Sequence, residues 1–381
     1  MTDFDFYNPI TILFGKGKNA LIGEQIKKYG YKKALLLAGG GSIKKNGVYD
    51  SVTSSLQKAG VEFVECFGIK PNPNIEKVKE AITIAKKENV DCILAVGGGS
   101  VIDTAKTVAA GVYQKDVWDI FAGTSEVNDA LPLFTILTLS ATGSEMNMGA
   151  VITKEDEKKK WNFRSPYVFP KVSIIDPEVQ FTLPWNQTAN GAVDAMAHTM
   201  EYYFTCKNEE TVMALDESLL KSVVKSCDAL QKNEEDYEAR SSLAWAATLA
   251  LNGISGSMLS GGDWSSHMIE HGVSAFNNTV AHGTGLAIIF PAWIKYTYKE
   301  NEKTYLRWAK VVWNASSVEE GITNMQEKFK QWKVPTTLTE IGIKEENLEE
   351  IKNLITRRIP LFGVVKKLEG EDVLNILKLA L

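Results

Sequence analysis

The tetrapeptide Gly-Gly-Gly-Ser occurs twice in the chain, as Gly39–Ser42 and as Gly97–Ser100, and each copy ends a short continuous apolar run. Those runs, Lys33-Ala-Leu-Leu-Leu-Ala38 and Asp91-Cys-Ile-Leu-Ala-Val96, lack the alternation of a strand with one wet face. Apolar strands of this length are buried on both sides, which requires helices above and below a parallel sheet. A helical pattern does follow each glycine run, the first ending near Gly60 and the second spanning Val101–Ala110. Further strands are expected at Pro9–Phe14 (with a turn at Gly15-Lys-Gly17), Val61–Cys66, Leu131–Leu139 and in the segment Val172–Pro177. The loop Pro71-Asn72-Pro73 precedes a helix that runs to about Glu88. The first half is therefore an alternating α/β domain.

Ligands of such sheets collect at the carboxyl ends of the strands, where both glycine runs fall. Glycines let the backbone approach an anion, and a helix N-terminus adds unpaired N–H groups with a partial positive charge, so a pyrophosphate is the natural guest. Ser100-Val-Ile-Asp103 reads as a capping box opening the helix that Gly111 closes. The run is not G-x-G-x-x-G, and a tight strand-to-helix turn without a ligand is the alternative. Small hydroxyl residues and a glycine after the strand at 131–139 (Ser140, Thr142, Gly143, Ser144) and Asn147 suit hydrogen bonds to a phosphate or an amide, with a capped turn as the alternative. The charge run Lys154–Lys160 reads as a solvated turn whose last member, Lys160, reaches back to a phosphate or does not.

After Thr182-Leu-Pro184 long helical patterns replace the short apolar runs: 186–204, 211–230, 237–252, 265–276, 282–299, and several amphipathic stretches beyond. A chain of 381 residues exceeds what one core usually serves. Two domains are expected: an α/β domain over 1–185 and an all-α domain over 186–381.

The chain has only four histidines, and all lie in this helical half. Asp194/His198 and His267/His271 are i, i+4 pairs, so each pair shares one helix face. Carboxylate and neutral imidazole are ordinary ligands of first-row divalent metals. Asp194, His198, His267 and His282 are thus a candidate metal set, although no helical period ties His282 to the others. The competing account of any one of these histidines is a satisfied core residue. His271 is a candidate proton relay, or a residue that only orients a ligand. Trp185, Trp264 and Trp293 flank the set and are candidate walls of an apolar pocket, or simply core. The simplest geometry puts nucleotide and metal on opposite walls of an interdomain cleft. A cation there polarises a carbonyl oxygen while a nicotinamide exchanges hydride with the same carbon. One rival motif is present: His267-Met-Ile-Glu270-His271 is H-x-x-E-H, a zinc-hydrolase signature with Glu270 as general base. It leaves both glycine runs and the Asp194/His198 pair without a purpose.

Net charge −5 and a pI near 5.6 argue against nucleic acid or anionic membrane as partners. No apolar run approaches the ~18 residues of a spanning helix, and Met1–Phe6 is acidic and aromatic, unlike a signal segment. Cys66, Cys92, Cys206 and Cys227 form no C-x-x-C pair and read as reduced, buried residues of a cytoplasmic protein.

Gly97-Gly-Gly-Ser-Val-Ile-Asp-Thr-Ala-Lys106, Asp176-Pro-Glu, Asp194-x-x-x-His198, His267-x-x-x-His271 and Ala281-His282-Gly283 together resemble the iron-containing alcohol dehydrogenases. The resemblance runs from Phe6 through at least Pro291. Gly39–Lys45, Pro71-Asn72-Pro73 and Trp245–Thr248 add a similarity to its branch of NADPH-dependent butanol dehydrogenases and broad aldehyde reductases. It implies a Rossmann-like N-terminal domain, an all-helical C-terminal domain in the dehydroquinate synthase-like architecture, and a divalent cation, Fe2+ or Zn2+. Asp194, His198, His267 and His282 fall on the family's ligand positions, and His271 on its additional active-site histidine. Gly98, Gly99 and Ser100 fall on the pyrophosphate loop, and Thr138, Thr142, Asn147 and Lys160 near cofactor positions. Gly97 and Asp103 flank that loop and, with Asn72, complete the expected cofactor-binding set. NAD-preferring relatives carry an acidic residue after the strand at 33–38. Here Gly39 and Gly40 stand there, followed by Ser42, Lys44 and Lys45, so NADP(H) is expected. The implied substrates are small primary alcohols and aldehydes of the butanol and butanal kind, and the implied assembly is a homodimer. A lyase related to dehydroquinate synthase, or a nucleotide-binding regulator without catalysis, would share much of this architecture. Between His271 and His282 the chain has one residue more than some relatives, which the segment Gly272–Ala281 has to absorb.

Overall fold

The computed structural model describes residues 3–381; Met1 and Thr2, which the expected first domain includes, lie outside the described residues. The chain forms two compact units, one of Tyr7–Leu183 with Glu234–Ala244, the other of Pro184–Asn233 and Trp245–Leu381 with the N-terminal residues up to Phe6. The α/β-then-helical order expected from the sequence is observed. One segment differs from a plain division into 1–185 and 186–381: Glu234–Ala244 joins the first unit, where the Ala244 side chain is fully buried in its apolar cluster.

In the first unit, strands β1 (Thr11–Phe14), β2 (Lys33–Ala38), β3 (Glu62–Cys66), β4 (Cys92–Gly97), β5 (Leu133–Leu137) and β8 (Val172–Ile175) form one sheet in the order β1-β8-β5-β4-β2-β3. Every pairing is parallel, as in Ala34 opposite Cys92 and Ile93 opposite Leu133. Side chains alternate between two cores. Leu35, Leu37, Ile93 and Ala95 meet α4 (Ile75–Glu88) and α5 (Gly99–Gly111). Leu36, Leu94 and Phe134 meet α1 (Ile22–Lys28) and α3 (Val48–Ala59) on the other face, and the four-residue α2 (Ser42–Lys45) leads into α3. Burial on both sides explains why these strands are continuously apolar.

The chain leaves β2 towards β3 on one side and then returns to β4 on the other. The topological switch therefore lies between β2 and β4, the two strands that empty into Gly-Gly-Gly-Ser. After the short α6 (Trp118–Ala122) and β5, a hairpin of β6 (Gly149–Lys154) and β7 (Lys159–Arg164) stands outside the main sheet. The expected solvated turn is its tip, Glu155–Glu157.

In the second unit α7 (Trp185–Tyr203), α8 (Glu210–Lys232), α10 (Ser265–Phe276) and α11 (His282–Thr297) carry the centre, while α9 (Tyr237–Ala250) is divided between the units after Ala244. Helices α12 (Glu302–Trp313), α13 (Val318–Gln331), α14 (Leu348–Thr356) and α15 (Gly370–Leu379) complete it. Its core is aromatic: Phe204 stacks on Tyr305 at 4.1 Å between centroids and meets Trp293 and Trp308. No helix among the described residues is long and apolar enough to cross a membrane.

Candidate active site

Helix α7 is buried over most of its length, and 3.6 residues per turn line up Asp194, His198 and Glu201 on one of its faces. Helix α10 opens after Trp264, whose left-handed backbone (φ 63°) turns the chain, and presents His267 with Glu270 one turn on. His282 is the first residue of α11. Before it, α10 ends at Phe276 and a turn in which the Val280 N–H donates to the Asn277 carbonyl (3.1 Å) brings the chain back.

Asp194 Oδ1 lies 3.7 Å from His198 Nε2 and 3.5 Å from His282 Nε2. Ligands about 2.1 Å from one tetrahedral ion sit roughly 3.4 Å apart, so this spacing suits a shared cation. The His198 and His267 rings stack at 4.8 Å, and His267 and His282 lie 5.4 Å apart. Asp194, His267 and His282 each offer a ligand atom, all within 4.8 Å of one another. Among the described residues Asp194 Oδ1 and His267 Nε2 are buried without a hydrogen-bond partner. An unmet carboxylate oxygen beside an unmet imidazole nitrogen is costly unless something binds both. The donor set therefore fits a divalent cation.

Two buried carboxylates hold the far sides of the rings. Glu201, with no exposed surface, accepts from His267 Nδ1 at 2.7 Å and from the Ser266 hydroxyl at 2.6 Å. It also takes the backbone N–H groups of Trp264 (2.5 Å) and His267 (3.3 Å), and so caps α10. Glu270, equally buried, accepts from His282 Nδ1 and from the Ser274 hydroxyl. With Nδ1–H donating, the Nε2 lone pair of each ring is left for a metal. Burial pushes His198 down to about 3, helped by His267 and His282 and opposed by Asp194, so it is a neutral imidazole. The H-x-x-E-H hydrolase reading fails here: Glu270 faces His282 and Ser274, not a position from which to activate water.

His271 is half-buried with its ring 5.5 Å from that of His282, beside the ligand set. Trp264 packs edge-on to His267 at 5.3 Å. The other two tryptophans do not form the pocket wall allowed by the sequence. Trp293 is core, and the Trp185 indole donates to the Trp332 carbonyl at 2.8 Å.

In the first unit the glycine loops are shaped by close packing. A Cβ on Gly97 would sit 2.4 Å from Val101 Cγ2, and one on Gly99 would sit 2.4 Å from Thr142 Oγ1 and Cγ2. The loops after β4 and β5 are therefore in contact, which brings Gly97–Ser100 to Thr138 and Thr142. Gly39 accepts from the Gly68 N–H at 3.0 Å, and Gly41 takes a positive φ of 100° before Ser42 opens α2. Asn72 also has a left-handed backbone (φ 51°). The Pro73 carbonyl next to it accepts from the Thr153 N–H at 2.8 Å, and Thr153 lies opposite the buried Lys160.

One expectation is corrected. Ser100 does not cap: α5 begins at Gly99 with Gly98 as its N-cap and without a side-chain cap bond. Asp103 turns inward, accepting from the Ser144 hydroxyl (2.6 Å) and the Val151 N–H (3.0 Å), a scaffold contact. Asn147 belongs to the same scaffold: its Oδ1 accepts from Lys106 and from the Gly149 N–H, and its Nδ2 donates to the Gly143 carbonyl, each at 2.9 Å. Lys106 at its centre is fully buried, also donates to the Ser144 hydroxyl (2.9 Å) and the Gly149 carbonyl (2.8 Å), and is pushed down to about 8 by burial. Sequence reasoning gave no role to Lys106 or Glu201, and offered Glu270 only as the general base of the rival hydrolase motif. The available signal for the two glutamates is a repeated H-x-x-E spacing, His198/Glu201 and His267/Glu270.

Comparison with known proteins agrees with this chemistry. Residues 9–177 match the family described as iron-containing alcohol dehydrogenase, and residues 188–381 match the C-terminal part of the Fe-containing alcohol dehydrogenase family. The chain is 42% identical to the probable NADH-dependent butanol dehydrogenase 1 of Bacillus subtilis, with all of both chains covered. It is 34% identical to the NADPH-dependent aldehyde reductase YqhD of Escherichia coli, over 98% of this chain and 97% of that one. The crystal structure of NADH-dependent butanol dehydrogenase A from Thermotoga maritima superposes with a TM-score of 0.98 at 47% identity, covering 100% of this chain and 99% of the other. With sequence, fold and matches agreeing over both units, the chain belongs to the iron-containing alcohol dehydrogenase family.

Proposed function

We propose that the chain interconverts simple primary alcohols and aldehydes, butanol and butanal among them, by hydride transfer with NADP(H) at a divalent cation held by Asp194, His198, His267 and His282. The observation that carries this reading is the meeting of one carboxylate and three imidazoles in a cluster whose buried Asp194 Oδ1 and His267 Nε2 have no hydrogen-bond partner. When bound, an iron or zinc ion supplies Lewis-acid polarisation of the substrate oxygen, and the nicotinamide supplies or accepts the hydride.

The protein's own groups do the rest. Glu201 and Glu270 hold the His267 and His282 rings with Nε2 turned to the cation. Trp264 offers an apolar surface beside the ligands, suited to an alkyl chain and to excluding water. His271 moves the proton that alcohol oxidation releases and aldehyde reduction consumes, through a ring nitrogen next to the ligand set. The pyrophosphate rests on the N-terminus of α5 at Gly97–Ser100, with Thr138, Thr142, Asn72 and Lys160 towards the rest of the nucleotide.

NADP(H) follows from the loop after β2. Gly39 and Gly40 put no carboxylate beside a 2′-phosphate, and Ser42, Lys44 and Lys45 follow. Lys44 lies over the Phe67 and Tyr49 rings and 3.8 Å from Glu65, while Lys45 is exposed. The relatives include proteins named for either nucleotide, so this assignment rests on the loop. We place the enzyme in the cytoplasm, in keeping with four buried thiols, and as a homodimer by family likeness.

The test is the loss of reduced-nicotinamide absorbance with butanal, before and after chelation, with residual metal assayed in the same sample. Chelator-sensitive oxidation and a higher kcat/KM with NADPH than with NADH are expected. A clear NADH preference overturns the nucleotide assignment, and full activity in metal-free protein overturns the reaction.

A further inference from the structure

We propose that Glu270 is a positioning residue for His282, setting the tautomer and direction of that ring and through it the grip on the cation; this rests on the ligand set assigned above. Glu270 is fully buried on α10, one turn past His267. One of its oxygens accepts from His282 Nδ1 and the other from the Ser274 hydroxyl. Its side chain is pinned from the opposite side by α11 itself. A Cβ on Gly285 would lie 2.7 Å from Glu270 Cγ and 2.8 Å from Oε1, so the absence of a side chain there makes room for the carboxylate.

The geometry gives this contact a purpose. His282 follows the turn at Asn277–Val280, and the N-cap of its helix, Ala281, makes no side-chain cap bond. A ligand at the start of such a helix needs something else to set its ring. An Nδ1–H donated to a carboxylate fixes the tautomer with its lone pair on Nε2, and Nε2 is the atom 3.5 Å from Asp194 Oδ1. The same device joins Glu201 to His267. In both, a glutamate three residues past one ligand histidine serves a histidine on another helix: α7 holds α10, and α10 holds α11. This also absorbs the H-x-x-E-H motif, whose glutamate orients a ligand and activates no water.

The test uses the full chain and two variants, E270A and E270Q. Zinc affinity is measured by competition with a chromophoric chelator, and the visible absorption of the cobalt-loaded protein reports ligand geometry. Circular dichroism checks the fold. Losing such a carboxylate weakens metal binding by roughly 10–100-fold. E270A is expected in that range with an altered cobalt spectrum, and E270Q, which keeps an acceptor but less basicity, near its lower end. Folded E270A with wild-type zinc affinity and cobalt spectrum overturns the proposal. If E270A does not fold, wild-type values in E270Q do the same. A wild-type chain that takes up neither metal overturns the ligand set and this proposal together, whereas a loaded wild type with equally loaded variants overturns this proposal alone.

Discussion

Replacing Gly283 with alanine sets two physical effects against each other with opposite signs. Gly283 is the second residue of α11, next to His282. Helix propensity alone favours alanine over glycine by roughly 1 kcal/mol, which would raise stability. The structure says otherwise, because a Cβ there would lie 2.2 Å from the Asn190 carbonyl oxygen and 2.8 Å from Asn190 Cα, all backbone of α7. Ordinary contact begins near 3.4 Å, so α11 has to retreat by about 3.4 − 2.2 = 1.2 Å, and no side chain can yield in its place. Overpacking of this kind costs about 1–3 kcal/mol or more, which outweighs the propensity gain. A unit of this size loses roughly 2–4 °C per kcal/mol, so the apparent Tm falls by several degrees. The retreat carries His282 away from Asp194, and a misplacement near 1 Å costs on the order of 100-fold in kcat. Thermal unfolding followed by circular dichroism, together with steady-state kinetics on metal-saturated protein, measures both. A G283A protein that melts at or above the wild-type temperature with wild-type kcat refutes the argument that α7 and α11 meet backbone to backbone at this point.

Other outcomes follow from the first unit. In G99A the new methyl lies 2.4 Å from Thr142, so about 1–3 kcal/mol of overpacking falls on the nucleotide loops. The cofactor KM should rise roughly tenfold while zinc affinity stays put, and an unchanged KM would contradict the placement of the pyrophosphate. K106M leaves the Ser144 hydroxyl, Asn147 Oδ1 and the Gly149 carbonyl without their shared donor and should cost about 2–4 kcal/mol in chemical denaturation. Burial holds the Lys106 ammonium down to about 8, against 10.5 when unfolded. Between those values the unfolded chain binds a proton that the folded chain has released, so wild-type stability gains with pH across that window. K106M should lack that gain, and parallel stability profiles for the two proteins would count against a buried, titrating ammonium.

What the sequence disclosed depended on how locally each feature is encoded. The strands expected at 33–38 and 91–96 are continuously apolar because both faces are covered, and they match β2 and β4 (Cys92–Gly97) to within a residue. Helix α10 was read at its observed ends, Ser265 and Phe276, since both histidines and the apolar face repeat with helical period. The hairpin of β6 and β7 is hard to read from sequence because its strands mix lysines with apolar residues and stand outside the main sheet. Ser100-Val-Ile-Asp103 matches a capping pattern, but the helix starts two residues earlier, at Gly99, and Asp103 finds partners across the fold, 41 and 48 residues away. Of the proposed metal ligands, Asp194, His198 and His267 are legible as residue types at helical spacing. The carboxylates behind them are not, because Glu201 and His267 meet only through packing across 66 residues.

The position of β1 at the rim of the sheet has a consequence for how the chain is made. Its only neighbour is β8, with Thr11 opposite Val172, so its partner is synthesised 172 − 11 = 161 residues later. At ribosomal speeds of roughly 5–20 residues per second, that interval is on the order of ten to thirty seconds. Throughout it, Thr11–Phe14 emerges from the ribosome as an apolar strand with nothing to pair with, a ready template for a neighbouring nascent chain. Crowded polysomes and fast expression should therefore favour inclusion bodies, and slower translation or a chaperone that covers the first twenty or so residues should raise the soluble yield.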